Sequence, residues 1–360
     1  MKKLAGLLPI IIPLVLAAAM YFLLPMFPDF TEYVVSRGLF KLITIPLGFI
    51  TSLIPISLTE LLAVLAVPMV IFLIVLLIVR LKKSSHRGKT ALKALRGVGT
   101  VLSCICLMYM ICHGANYYRY PIERIMELDT SQKSPEQLLE VCELLADGAK
   151  QARADMGIDD EAPFALPEDN FTELTRAGSG YEKLSEKYWF LWTSIFRQKP
   201  VMLSEQWSYT GITGLYFPFF AECNINVAQA DYAIPFTAAH ESAHSRGIAF
   251  ENECNFLAFL SCINSEYPEY RYSGYMMAYT YCSNALYAFD IDMWSRAAGR
   301  LTVGMYKDFS AQNEYINAHK GKVMEVSETV NDTFIKSQGV ADGTLSYDRV
   351  TELILAYCLS

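Results

Sequence analysis

The sequence predicts a mostly α-helical membrane protein, in which three N-terminal transmembrane helices precede a mainly helical domain with a small β element. Two observations support this fold class. The 360 residues are 53% hydrophobic with a mean hydropathy of +0.24, which is too apolar for a disordered chain or an ordinary cytosolic enzyme. The apolar residues also concentrate in the first third of the chain, while the remainder is acidic and has a helical pattern.

Residues 1–116 are predicted to form a membrane anchor. Three apolar runs are long enough to cross a bilayer, and they lie at about 4–24, 61–79 and 97–115. The first run follows two lysines, as in a signal peptide, but it continues past the small residues Ala17–Ala19, so an uncleaved anchor is expected and cleavage is the alternative.

Seven cationic residues lie between the second and third runs, from Arg80 to Arg96. Because cationic loops stay on the cytoplasmic side, this loop is expected inside the cell, as is the N-terminus. The chain after about Asn116 is then outside the membrane.

A further apolar segment, residues 39–56, is interrupted by Lys41, Pro46 and Pro55. A fourth span with the N-terminus inside would turn the seven-cation loop outward, so this segment is interpreted as interfacial or re-entrant. The alternative is an ordinary span with the N-terminus outside, which leaves the loop cytoplasmic and the later part still outside.

Residues 117–360 are predicted to form one extracytoplasmic domain. They contain 19 cationic and 34 acidic side chains, a balance that fits a soluble head and gives no reason to expect nucleic acid as a partner. Ser134-Pro135 predicts a helix start, and helical patterns dominate elsewhere. Residues 211–234 instead have the sequence pattern of short strands, and we expect the β element there.

The segment from Thr237 to Asn255 contains the pattern His-Glu-x-x-His. On a helix, His240 and His244 lie one turn apart on the same face, so both imidazoles can bind one Zn²⁺. Glu241 lies beside them and can take a proton from the attacking water. Thr237 is expected to cap this helix, and Gly247 to end it in a turn.

A catalytic zinc needs a third protein ligand. Glu251 and Asn255 are four residues apart and share a helical face, whereas Glu253 points about 200° away from Glu251. We therefore assign Glu251 as the ligand and Asn255 as the hydrogen-bonding partner that orients a histidine. Glu253 is the alternative ligand.

These residues resemble the gluzincin metallopeptidases, in which a glutamate on a second helix completes the zinc site. The resemblance implies a zincin-like fold, although the gap from His244 to Glu251 is very short for that group. The chain more closely resembles the bacterial membrane family catalogued as domain-of-unknown-function 3810, whose motif places it among zinc metallopeptidases and whose substrates are not established. The matching stretches are residues 214–219, 235–244, 253–258, 271–275 and 346–349.

The resemblance implies a multi-pass protein of the bacterial cell membrane that hydrolyses extracytoplasmic peptides or proteins with Zn²⁺ as cofactor. Tyr275 is a tentative catalytic residue that would stabilise the oxyanion, with packing as its alternative role. A second functional hypothesis is a non-proteolytic sensor or assembly protein with a structural or regulatory metal site. The intact Glu241 favours the enzyme, because a structural site needs no such carboxylate.

Overall fold

Four apolar helices begin the chain in the computed structural model, which describes residues 6–131, 134–193, 196–338 and 349–360. By length and composition, each of the four could cross a membrane. They are α1 (Leu8–Leu23, continued by the turn Leu24–Met26), α2 (Pro28–Ser52), α3 (Leu58–Lys83) and α4 (Arg87–Cys112). These apolar helices indicate insertion into a membrane.

Helices α1, α3 and α4 overlap the three predicted spans, although α1 begins at Leu8 and α4 ends at Cys112. Helix α2 contains most of the segment for which an interfacial or re-entrant position is predicted. The number of spans therefore remains a prediction between three and four. The winding of α2 widens to a π-helix over Thr31–Phe40, and Pro46 lies inside its last part, Lys41–Ser52.

Polar side chains tie α2 to the part of the chain that follows the four helices. The Lys41 Nζ atom donates to the carbonyl oxygens of Phe190 (2.8 Å) and Trp192 (2.6 Å). Ten residues further on, the Thr51 hydroxyl donates to the carbonyl of Phe220 at 3.0 Å. These contacts join the last part of α2, Lys41–Ser52, to the chain beyond the predicted division at residue 116.

The remaining described residues form a mainly helical head with one small sheet. The helices are α5 (Ile122–Ile125), α6 (Pro135–Met156), α7 (Asn170–Thr175), α8 (Ser179–Lys187), α9 (Ser204–Ser208), α10 (Ile234–His244), α11 (Glu251–Asn264), α12 (Pro268–Phe289), α13 (Ile291–Ala298), α14 (Val303–His319), α15 (Lys322–Ser337) and α16 (Val350–Cys358). The strands are β1 (Lys199–Pro200), β2 (Gly214–Phe217) and β3 (Glu222–Ile225).

The sheet has the order β1-β3-β2, so β2 is an edge strand. β3 pairs parallel with β1 and antiparallel with β2, and Tyr216 lies opposite Cys223. Helix α10 packs against both β2 and β3 on one side and against α11 and α12 on the other. This helix is therefore at the centre of the head, and most of its residues are buried.

Two local predictions have different outcomes. The Ser134 side chain accepts a hydrogen bond from the Gln137 backbone N–H, and the Gln137 side chain accepts one from the Ser134 backbone N–H. This capping box confirms the predicted start of α6. The predicted cap at Thr237 is wrong, because α10 begins three residues earlier, at Ile234, with Pro235 in its first turn. The Thr237 hydroxyl instead donates to the carbonyl of Ala233, the residue just before the helix. Part of the last matching stretch, residues 346–348, lies outside the described residues.

Candidate metal centre

The two histidines of the His-Glu-x-x-His pattern lie side by side near the end of α10, with ring centroids 4.9 Å apart. Helix α10 ends at His244, and Gly247 continues the chain with φ +82°, a conformation that glycine adopts without a Cβ penalty. This turn lets α11 begin at Glu251 and run back past α10. The short gap between His244 and Glu251 is therefore long enough to bring both into one site.

The Glu251 carboxylate lies between the two imidazoles. Its Oε2 atom is 3.1 Å from His240 Nε2, and its Oε1 atom is 3.5 Å from His244 Nε2. A tetrahedral ion with bonds of about 2.1 Å holds its ligand atoms about 3.4 Å apart. Burial raises the pKa of Glu251, but the His244 and His240 imidazoles outweigh burial and hold this pKa well below its ordinary value.

The second ring nitrogen of each imidazole, Nδ1, lies within hydrogen-bonding distance of an oxygen outside this cluster. His240 Nδ1 is 2.7 Å from Asn255 Oδ1, and His244 Nδ1 is 2.9 Å from the Ile248 carbonyl oxygen. Both oxygens only accept, so each Nδ1 carries a hydrogen and each Nε2 is directed at the Glu251 carboxylate. Two Nε2 atoms and a carboxylate thus converge, and either a proton or a metal cation must lie between them. This donor set fits a divalent metal.

Cys254 adds a thiol beside this cluster. Its Sγ atom is 3.3 Å from His244 Nδ1, and ligand atoms of His240, His244 and Cys254 lie within 4.8 Å of one another, so these three residues could also hold a metal ion. The sulfur, however, lies near the Nδ1 atom of His244 rather than its Nε2 atom. Burial also raises the pKa of this thiol to about 12, so the protonated form dominates at neutral pH.

Glu241 is buried next to the histidines, beneath the edge strand β2. Its carboxylate accepts a hydrogen bond from the backbone N–H of Tyr216. Burial raises the pKa of Glu241, and the nearby His240 and His244 partly offset this effect. A Cβ atom at Gly214 would collide with Glu241 Oε1, so the absence of a side chain there lets the strand lie directly over the carboxylate.

No sequence pattern points to His113, which is the first residue after α4 and lies beside this centre. Its ring centroid lies 6.0 Å from that of His244 and 6.5 Å from that of Tyr216. Within the described ranges, the His113 imidazole has no hydrogen-bonding partner, and the buried Tyr216 hydroxyl has none either. The only sequence signal was that His113 is one of five histidines in the chain.

Two other predicted residues lie away from the histidines. The Glu253 carboxylate accepts from the Ile122 N–H at 2.8 Å, and burial raises the pKa of this residue to about 7. The Tyr275 ring packs over Gly148 of α6 and lies 6.4 Å from the Phe259 ring. This placement in the contact between α12 and α6 favours the alternative packing role of Tyr275, and its catalytic role stays a prediction.

The comparisons with known proteins give one match. No curated protein and no solved structure matches the chain. A family model described as a protein of unknown function (DUF3810) matches residues 35–355, which include part of α2 and almost all of the head. The chain therefore belongs to the DUF3810 family of proteins of unknown function.

Proposed function

We propose that the protein is a membrane-anchored zinc metallopeptidase that hydrolyses peptide bonds of extracytoplasmic peptides or proteins. One observation carries this proposal: two imidazole Nε2 atoms and the Glu251 carboxylate converge beside a second, buried carboxylate, Glu241. Structural zinc sites are usually closed by four protein ligands, whereas three protein ligands leave one position for water. The additional carboxylate beside them fits a site that activates water.

We propose His240, His244 and Glu251 as the zinc ligands, with Asn255 and the Ile248 carbonyl orienting the rings. The alternative set replaces Glu251 by Cys254. Binding through Cys254 requires a deprotonated thiol, and it requires His244 to give up its hydrogen bond to Ile248 if the same side of the ring is used. Neither change is needed for the Glu251 set.

Zinc, when bound, supplies Lewis-acid polarisation of the scissile carbonyl and the attacking water. Glu241 takes a proton from that water and delivers it to the departing amine. The Tyr216 N–H holds the carboxylate in place, and burial keeps its pKa raised, which suits a base that must later act as an acid. The free edge of β2 can align an extended peptide above α10.

For His113 we propose a hydrogen bond to the oxyanion that forms on the scissile carbonyl, because its ring faces His244 and lacks a partner among the described residues. We expect His113→Ala to lower kcat by about 10²–10³-fold, which is typical of removing one oxyanion donor, with little change in zinc content. Peptide turnover and elemental analysis of the same preparation test this. If zinc is lost together with activity, His113 is a ligand and this role is wrong.

Asn255→Ala should weaken zinc binding by about ten- to a hundred-fold, because His240 loses the acceptor that fixes its tautomer and ring orientation. Competition with a zinc chelator of known affinity measures this change. Asn264→Ala is a matched control, since that amide lies further along α11 and donates to the Leu260 carbonyl at 2.9 Å. An unchanged affinity in Asn255→Ala would contradict the orienting role.

The proposed location is a bacterial cell membrane, crossed more than once, with the head on the extracytoplasmic side. The seven cations between Arg80 and Arg96 support this orientation, because the last membrane helix leaves from their loop. The head lies on the same side of the membrane whether the chain has three spans or four, since the two topologies differ only in the side on which the N-terminus lies. The proposed partners are the lipid bilayer and a peptide or protein substrate, with no nucleic acid.

A further inference from the structure

We propose that the substrate is the juxtamembrane segment of a polypeptide that is itself anchored in the membrane. This inference rests on the proposed peptidase function and adds a substrate class to it. Three features of the structure carry it: the depth of His113, the contacts between the metal-site turn and α2, and apolar side chains on the head beside the membrane helices.

The first feature is the distance from the metal site to the end of α4. A straight helix crosses the hydrocarbon core in about 20 residues. Counted from Gly97, the residue after the last of the seven cations, this length ends at Asn116, less than one turn beyond His113. The His113 ring centroid is 6.0 Å from that of His244. The metal site therefore lies within roughly 10 Å of the membrane boundary.

The second feature is the contact between the turn after α10 and α2. The carbonyl of Gly247 accepts from Arg119 Nη1 at 2.7 Å, and the same guanidinium makes a buried ion pair with Glu32 of α2 at 2.9 Å. Gly247 also lies against the ring of Phe40. The turn that joins the two ligand-bearing helices is thus fixed to an apolar membrane helix and cannot stand far above the bilayer.

The third feature is a pair of apolar patches on the head next to α2 and α3. Trp189 is 62% exposed and lies 5.4 Å from Lys41 Nζ of α2, and Trp192 beside it is also exposed. Met202 is 78% exposed, and its backbone N–H donates to Glu60 in the first turn of α3. Because both patches are continuous with membrane helices, the occupant we infer for them is lipid.

These features together restrict what can reach the metal site. An extended chain advances about 3.3 Å per residue, so a bond at the zinc lies within roughly three to five residues of the membrane boundary. A segment attached to a membrane anchor is held at that depth. A free soluble peptide must instead enter the headgroup layer without an anchor. A peptide bond far from the anchor can reach the zinc only if the tethered chain folds back towards the membrane.

The test uses the full chain in vesicles of phosphatidylethanolamine and phosphatidylglycerol. One peptide library with a randomised core is supplied in three forms: unanchored, palmitoylated with the core about four residues from the lipid, and palmitoylated with a spacer of about twenty residues. Both palmitoylated forms reach the same surface concentration, so the long-spacer form is the matched control. Cleavage is read by mass spectrometry, with Glu241→Gln as the blank.

We expect the short-spacer library to be cleaved at least about ten-fold faster than the long-spacer library, because only its core is held at the depth of the site. Equal cleavage of the two palmitoylated libraries, or faster cleavage of the unanchored one, would overturn the juxtamembrane substrate while leaving the peptidase intact. If no library is cleaved by protein that contains zinc, the peptidase proposal itself fails, and this inference fails with it.

Discussion

Glu241→Gln is expected to abolish peptide hydrolysis while leaving zinc content unchanged. The amide has the shape of the carboxylate and can still accept from the Tyr216 N–H, so the local structure should persist. It cannot take a proton from water at neutral pH. Loss of general acid–base catalysis alone lowers turnover by about 10²–10⁴-fold, and the whole measured activity is expected to fall by at least this factor.

Glu253→Gln is the matched control for that change. Glu253 is also a buried glutamate near the centre, but its carboxylate accepts from Ile122 and contacts neither histidine. We expect the turnover of the Glu253→Gln protein to stay within a factor of about two of the wild-type value, since an amide oxygen can accept the same hydrogen bond. Peptide turnover and elemental analysis are measured on both variants. Unchanged turnover in Glu241→Gln would contradict the acid–base role of Glu241, whereas no turnover in a zinc-loaded wild type would favour the non-enzymatic sensor or assembly protein.

The second large effect is expected on the metal itself. His240→Ala and Glu251→Ala should each weaken zinc binding by more than about a hundred-fold, which exceeds the loss typical of removing a partner that only orients a ligand. The reason is that each variant removes one of the three donors that converge on the centre. Zinc content after dialysis against a weak chelator measures this loss in the full chain.

Cys254→Ser separates the two candidate ligand sets. The serine keeps the size of the side chain and removes the sulfur, so the Glu251 set predicts a zinc content close to that of the wild type. Loss of zinc in Cys254→Ser with retention in Glu251→Ala would reverse the assignment in favour of the His240, His244 and Cys254 group. Thermal unfolding of each variant identifies any change that acts only through folding.

The local part of the site could be predicted from the sequence because helix geometry determines it. The spacing of His240 and His244 places both rings on one face, and the angle along α11 favours Glu251 over Glu253. The distances agree with this choice, since Glu251 reaches both imidazoles and Glu253 reaches the backbone of α5. Whether these residues bind zinc stays a prediction.

The rest of the site depends on contacts between distant parts of the chain. His113 follows an apolar helix and precedes His244 by 131 residues, so no local pattern connects them. Tyr275 was chosen from its position after the ligand helix, but the packing of α12 on α6 determines where its side chain points. Similarly, the polar residues of α2 looked like interruptions of an apolar segment, whereas Lys41 hydrogen-bonds to backbone carbonyls of the head.

Zinc K-edge X-ray absorption on the full chain is the most direct test of the metal centre. We predict one zinc per chain with nitrogen and oxygen neighbours at about 2.0–2.2 Å, outer-shell scattering from two imidazoles, and no sulfur neighbour. A sulfur neighbour at about 2.3 Å would contradict the Glu251 assignment and indicate Cys254. A chain that binds no metal would contradict the metal centre itself.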